Sequence, residues 1–344
     1  MSTPKLICLT PIKNEAWILE RFLKCASTWA DHIIVADQAS DDGSREIARR
    51  FPKVILVENT ATTYDERSRQ RLLINEARKI PGPRVLMALD ADECLTANFR
   101  SSPEWKSIQE AAPGTVIRFS WPEIRMGKCG LESYICPWRV PVGFVDNGDE
   151  HEGPAIHSTR IPTPPDAPSL LPTQIQLMHY CLADRERFKS RIRWYQCWET
   201  INSGKRPLAL YRQYHKALTV PDARFSPILE EWILGYTDLG IDMTSILRQG
   251  HYRWDTEILD LMTRHGASAF RKLAIWNFDW RALAERLQPG VDSDRFADPR
   301  SFSEKRVHRW LARTQVHFTH HAVPGPITRL RVALIERLLR LAGW

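Results

Sequence analysis

Val85-Leu86-Met87-Ala88-Leu89-Asp90-Ala91-Asp92-Glu93 is a run of five apolar residues that ends in three acids. The run suits a strand buried on both faces, as in a parallel sheet. Alternation along an extended segment puts Asp90 and Asp92 on one side and Ala91 on the other. Two carboxylates converging at a strand end repel each other unless a cation lies between them. Hard divalent ions such as magnesium or manganese prefer such oxygen ligands and also accept diphosphate oxygens. An acidic turn gives the same three letters, so the weight of Asp90-Ala91-Asp92 rests on what precedes it.

Working outward toward the N-terminus, the chain alternates short apolar runs with helical patterns. Strands are expected at 6–10, 33–36, 54–57 and 85–89. Helices are expected at 16–29, at 44–51 with Ser44 as its cap, and at 64–80, where Pro81-Gly82-Pro83 stops the last one. This β-α-β order implies an α/β fold: a mainly parallel, Rossmann-like sheet flanked by helices. Ligands in such sheets bind beyond the carboxyl ends of the strands. Two further polar segments occupy matching strand ends, Thr10-Pro11-Ile12-Lys13-Asn14-Glu15 and Asp37-Gln38-Ala39-Ser40-Asp41-Asp42-Gly43-Ser44. Each has a plain structural reading as well, with Asn14 or Asp42 as a helix cap and Asp37 as a turn residue.

P-x-x-N-E after the first strand, D-x-x-S-x-D-G-S after the second and D-A-D-E after the fourth resemble the family 2 glycosyltransferases, most closely the bacterial members that build lipopolysaccharide and other surface polysaccharides. The resemblance covers about residues 5–94 and more loosely reaches Tyr180. It implies a GT-A fold, a nucleotide-sugar donor, a divalent metal (manganese or magnesium) and mostly inversion at the anomeric centre. Carried over residue by residue, it puts Pro11, Asn14 and Glu15 around the nucleotide and Asp37 on the base or ribose, with Ser40 and Asp42 supporting that loop. Asp90, beside Ala91, falls near ribose and metal, and Asp92 becomes the principal metal ligand. Arg67 and Arg71 share a helix face, either for the diphosphate or as solvated ion pairs.

Inverting transfer needs a carboxylate to take the proton of the acceptor hydroxyl. The stretch Asp146-Asn147-Gly148-Asp149-Glu150-His151-Glu152-Gly153 is dense in acids. Similar family members show a His-Glu pair here and a later strand histidine, which implies Glu152 as base, Glu150 as runner-up and His179 at the metal or diphosphate. The alternatives are an exposed acidic hairpin and a core histidine. His157 and Glu93 are weaker candidates for the base.

The chain has 344 residues and a net charge of +7. Its seven cysteines form no C-x-x-C pair, which argues against zinc and disulfide scaffolds and for a reducing cytoplasm. No run reaches membrane-spanning length, and the N-terminal apolar run is too short for a signal core. A soft boundary near Asp184 separates a glycosyltransferase domain at 1–184 from a helical region at 185–344, with helices expected at 185–203, 226–239, 251–265, 268–287, 303–322 and 327–342. Arginines interleaved with Phe188, Trp194, Tyr195 and Trp198 read as an amphipathic helix rather than a nucleic-acid surface. Trp121, Trp138, Trp194 and Trp198 are sugar-stacking candidates or core anchors. The basic amphipathic segment at 327–344 fits the inner face of a cell membrane or packing within the protein.

The function expected is metal-dependent transfer of a sugar from a nucleotide-sugar donor to a glycan or lipid-linked acceptor, with no nucleic-acid partner. The competing readings are a non-catalytic sugar-nucleotide-binding protein and a nucleotidyltransferase. The latter lacks its glycine-rich phosphate loop here, since residues 10–15 contain no glycine.

Overall fold

The computed structural model describes residues 3–318 and 325–344. The elements run β1 (Lys5–Ile12), α1 (Leu19–Ala26), β2 (His32–Asp37), α2 (Ser44–Arg49), β3 (Val54–Glu58), α3 (Glu66–Arg78), β4 (Arg84–Ala88), β5 (Glu93–Leu95), α4 (Pro103–Gln109), β6 (Val116–Gly127), β7 (Gly130–Val145), β8 (Ser169–Leu170) and β9 (Leu177–Leu182). They continue as α5 (Arg185–Asn202), α6 (Pro207–Tyr214), β10 (Ser226–Pro227), α7 (Leu234–Thr237), α8 (Arg253–His265), α9 (Trp280–Leu287), α10 (Phe302–Gln315) and α11 (Pro326–Leu341).

The strands form one mixed sheet in the order β3-β2-β1-β4-β7-β6-β9-β5, with β10 on β7 and β8 on β6. β1 to β4 pair in parallel, and β7 runs antiparallel to β4 and β6. This is a mixed α/β, Rossmann-like architecture. The apolar runs read as central strands because both of their faces are covered. Leu6, Cys8, Ile33, Val35, Val85 and Met87 pack toward Phe22 and Leu23 of α1. Their neighbours Ile7, Leu9, Ile34, Ala36, Leu86 and Ala88 pack toward Leu73, Ile74 and Ala77 of α3. α3 starts at Asp65, whose carboxylate accepts from the Ser68 amide, a cap that satisfies one of the orphan amides of a helix start.

The chain divides into two compact units, Met1–Asp184 with Phe225–Gln249, and Arg185–Arg224 with Gly250–Trp344. The expected helix at 226–239 does not form. Ser226 and Pro227 join the sheet edge beside β7, and only a 3-10 turn at Glu230–Trp232 and the short α7 are helical. The segment is held by the first unit's core instead: Trp232, Tyr236, Ile241 and Met243 are buried in it. The Tyr236 hydroxyl donates to Leu95 O (2.9 Å), and Arg21 donates to Met243 O (2.7 Å). The expected helix at 268–287 is also broken, leaving α9 after a 3-10 turn at Ala267–Phe270. The last part of the expected helix at 303–322 lies outside the described residues.

In the second unit α5 packs on α8 through a buried Arg193–Asp255 ion pair (2.9 Å). Arg212 of α6 is a buried hub that reaches Glu336 (3.0 Å), Gln315 (3.0 Å) and Thr314 (2.7 Å), and so ties α6, α10 and α11 together. His308 of α10 is buried, with Nδ1 3.0 Å from Arg300 and Nε2 3.0 Å from Lys272 O. A guanidinium only donates, so His308 accepts at Nδ1 and keeps its proton at Nε2. Burial, with Arg300 adding to it, holds the His308 pKa below the ordinary histidine value. A histidine depressed in the folded state contributes stability above its unfolded pKa of about 6.5 and loses it as pH falls through the lower folded value. Urea unfolding followed against pH should therefore show His308→Gln less acid-sensitive below pH ~6.5 than the parent chain. Identical slopes would assign the acid sensitivity elsewhere.

Candidate donor-binding site

Parallel pairing brings the ends of β1, β2 and β4 to one sheet edge. Ile12 pairs with Asp37, and Leu9 with Ala88. The loops that leave β1 and β2 are fastened to each other. The Asn14 amide donates to Ser40 Oγ (2.9 Å), Asn14 Nδ2 donates to Asp41 Oδ1 (2.7 Å), and the Asp41 amide returns a bond to Asn14 Oδ1 (3.0 Å). The Glu15 amide donates to Ser44 Oγ (2.9 Å) and the Ala16 amide to Asp42 Oδ2 (2.9 Å). Asn14 takes a left-handed φ of 57°, which asparagine tolerates better than other side-chain-bearing residues because its amide bonds locally.

Ser44 is therefore not the cap of α2. Gly43, with φ 92°, holds the cap position and Ser44 opens the helix. Asp42 accepts from the Ser44 amide (3.1 Å) and hydroxyl (2.6 Å). Pro11 lies where β1 has left the β4 ladder, a place that tolerates a residue without an N–H. Asp37 is fully buried, accepts from the Ser40 amide (3.3 Å) and faces Arg45 Nε at 3.4 Å.

The end of β4 differs from the extended segment expected. β4 stops at Ala88, and residues 90–93 close a turn in which the Glu93 amide donates to Asp90 O (3.0 Å) and the Asp90 amide to Glu93 Oε2 (2.9 Å). Strand alternation does not apply across a turn, so Asp90 and Asp92 take different partners. Asp90 pairs with Arg160 (2.8 Å). Asp92 is buried, with Oδ2 3.6 Å from His179 Nε2. His179 of β9 is buried, pairs in register with Glu93 of β5 and stacks on Trp121 at 4.1 Å, and its Nδ1 has no hydrogen-bond partner. The Trp121 ring is thus committed to His179, and its indole N–H donates to Glu93 Oε1 (2.7 Å).

Arg160 is the residue that sequence reading missed. It lies in an irregular segment with no motif around it. Its guanidinium pairs with Asp90 and forks onto both Glu93 oxygens. Burial opposes the Arg160 charge, but Asp90, Glu93 and Asp92 outweigh burial and raise its pKa above the arginine norm. Burial raises the Glu93 pKa, Arg160 opposes the rise, and Asp90 adds to it.

The acidic stretch at 146–152 is spread along α3. Asp146 meets Arg84 (3.2 Å) at the start of β4 and Arg78 (2.9 Å) at the end of α3, and Glu150 lies 3.8 Å from Arg78. That is the opposite sheet edge from Asp90, so Glu150 is not brought to Asp92. Glu152 is 75% exposed and bonded to Arg71 (2.8 Å), whose Nε also donates to His151 O. Arg71 is thereby a loop fastener on the α3 flank, more than one turn past Glu66. Arg67 is half-buried, with an Nε that finds no hydrogen bond. His151 is buried and meets Ser158 Oγ at 3.2 Å, and the Ser158 amide donates to Glu66 (2.7 Å). His157 has a left-handed φ of 59° in the same loop. Among the described residues, no group of three or more histidine, cysteine, aspartate or glutamate side chains is placed to hold a metal ion.

No family model matches the chain. Among solved structures it is similar to 4-diphosphocytidyl-2C-methyl-D-erythritol synthase, at 15% identity over 42% of this chain and 72% of that one, with a TM-score of 0.28. It is also similar to HddC from Yersinia pseudotuberculosis, at 8% identity over 54% and 97%, with a TM-score of 0.30. Likeness this slight says nothing of what this chain binds or does.

Removing one partner of a buried ion pair costs about 3–5 kcal/mol, because it leaves a buried charge uncompensated. Arg160→Ala should destabilise the first unit by about that much in chemical unfolding, and adding Glu93→Gln should restore part of the loss. A loss below about 1 kcal/mol would show that the cluster is solvated.

Proposed function

We propose that the chain is a metal-dependent, inverting glycosyltransferase that moves a sugar from a nucleotide-sugar donor to a glycan or lipid-linked acceptor of a cell-surface polysaccharide. The observation that carries this reading is the pairing of Asp92 with His179 at the sheet edge where the interlocked loops 13–16 and 38–44 also end. Asp37 and the Asn14-Glu15 loop would take the base and ribose, and the buried carboxylate of Asp37 suits the N–H edge of a base.

The donor set also fits a divalent ion. Asp92 Oδ2 and His179 Nε2 face each other at 3.6 Å, and these two atoms would hold the ion. One carboxylate and one imidazole would leave the ion's remaining positions to diphosphate oxygens. When bound, such an ion neutralises the charge that develops on the departing diphosphate. Arg160 holds Asp90 in place and removes its charge from competition with the donor.

Glu152 is the base in this reading, since it lies nearer the ligand edge than Glu150. It would act after releasing Arg71, which then becomes free for a phosphate. Its proton acceptor role is independent of the Asp92–His179 pair, so the two are tested separately.

Incubating the protein with a panel of sugar nucleotides and manganese should release a nucleoside diphosphate. Asp92→Ala should lower kcat at least about a thousandfold while melting stays within a few degrees. Glu152→Gln should lower kcat about a hundredfold or more with little change in donor affinity. Release of inorganic diphosphate instead would indicate a nucleotidyltransferase. Donor-induced thermal stabilisation with no turnover on any acceptor would indicate a binding protein.

A further inference from the structure

α11 is anchored on one side only. Val332 and Glu336 are buried, Leu339 packs against the small core of Leu208, Tyr211, Leu311 and Trp344, and Glu336 binds Arg212. Arg206 donates to Arg340 O (3.3 Å), and Lys272 donates to Ala342 O (2.9 Å) and Gly343 O (3.0 Å) just past the helix end. The opposite side is apolar and bare. Ile327, Leu330, Leu334, Leu338 and Leu341 are 68, 73, 59, 57 and 80% exposed. Their spacing of three, four, four and three residues puts them on one stripe. At 100° per residue, Arg331 falls on one flank of that stripe and Arg337 on the other, with Arg329 and Arg340 further round. The only acid of the helix, Glu336, is buried and already paired.

We propose that this face of α11 lies in the plane of an anionic lipid surface, with the leucines among the acyl chains and the arginines at the headgroup phosphates. Five outward apolar side chains on sixteen residues match the geometry of an interfacial helix. Insertion is in-plane, because no helix among the described residues is long and apolar enough to cross a membrane. The charge selects the occupant. A second copy docking through the same face would bring arginine flanks against arginine flanks with no exposed acid of the helix between them, whereas acidic lipids complement both flanks at once. The guanidinium forks also suit phosphate oxygens.

The test uses the full chain in flotation with vesicles of phosphatidylcholine alone and of phosphatidylcholine mixed with phosphatidylglycerol. The expected result is binding to the mixed vesicles that weakens as salt rises, with little binding to the neutral ones. Leu334→Asp combined with Leu338→Asp should reduce affinity roughly a hundredfold, and Arg331→Gln combined with Arg337→Gln about tenfold. Leu247→Asp, at a leucine 63% exposed but outside α11, should bind as the parent does. Since all of these positions are exposed, unchanged melting temperatures establish that the variants fold. The proposal is overturned if the parent ignores anionic vesicles, if Leu334→Asp/Leu338→Asp binds as well as the parent, or if sedimentation shows a dimer that this pair dissociates without vesicle binding.

Discussion

Three carboxylates, Asp90, Asp92 and Glu93, leave the end of one buried strand within four residues. In a poorly polarisable interior such a group repels itself strongly. The chain answers by running a fourth side chain, Arg160, back from beyond β7 into the same space. Its fork accepts the charge of Glu93 and Asp90 together, and the residual acceptor capacity of Glu93 is filled by the Trp121 indole and the Asp90 amide. Once Glu93 is fixed, the turn at 90–93 is fixed, and with it the direction of Asp92 toward His179. The turn is thus held by side chains of this chain alone, with Glu93 bonded to Arg160, to the Trp121 indole and to the Asp90 amide.

The loops after β1 and β2 show a second way in which motif residues act. Asn14, Ser40, Asp42 and Ser44 use their polar atoms mostly on each other's backbones. Each such bond contributes only about 1 kcal/mol net, yet together they hold two loops with left-handed residues at Asn14 and Ala39. The motif letters are constrained because backbone amides at a strand end need specific acceptors. Asp37 stands apart: it sits at the strand end itself, buried, with its carboxylate toward Arg45 and the Ser40 amide.

Legibility of the candidate site follows the range of the interactions. Asp92 is singled out by its place after an apolar strand and His179 by a resemblance, and the structure brings the two within 3.6 Å of each other. The placing of Asp146, Glu150 and Glu152 was not legible, because arginines on two other elements, Arg71 and Arg78 of α3 and Arg84 of β4, decide it. Arg160 left no local signal, since its partners are 67 residues away or more. The same reason explains the segment at 226–239, which has helical spacing but is unwound by burying Trp232 and Tyr236 in the first unit's core.

What the sequence determined alone is the order of strands and helices around β1–β4, since both faces of β1, β2 and β4 are covered and an unbroken apolar run has no other stable place. It also determined that α11 is amphipathic. Tertiary structure alone decided that Asp90-Ala91-Asp92 is a turn with divided partners, that an arginine from a motif-free loop neutralises it, and that the apolar stripe of α11 faces outward while Val332 and Glu336 face in. Each depends on charges or surfaces distant in the chain, where periodicity and spacing carry no information about who meets whom.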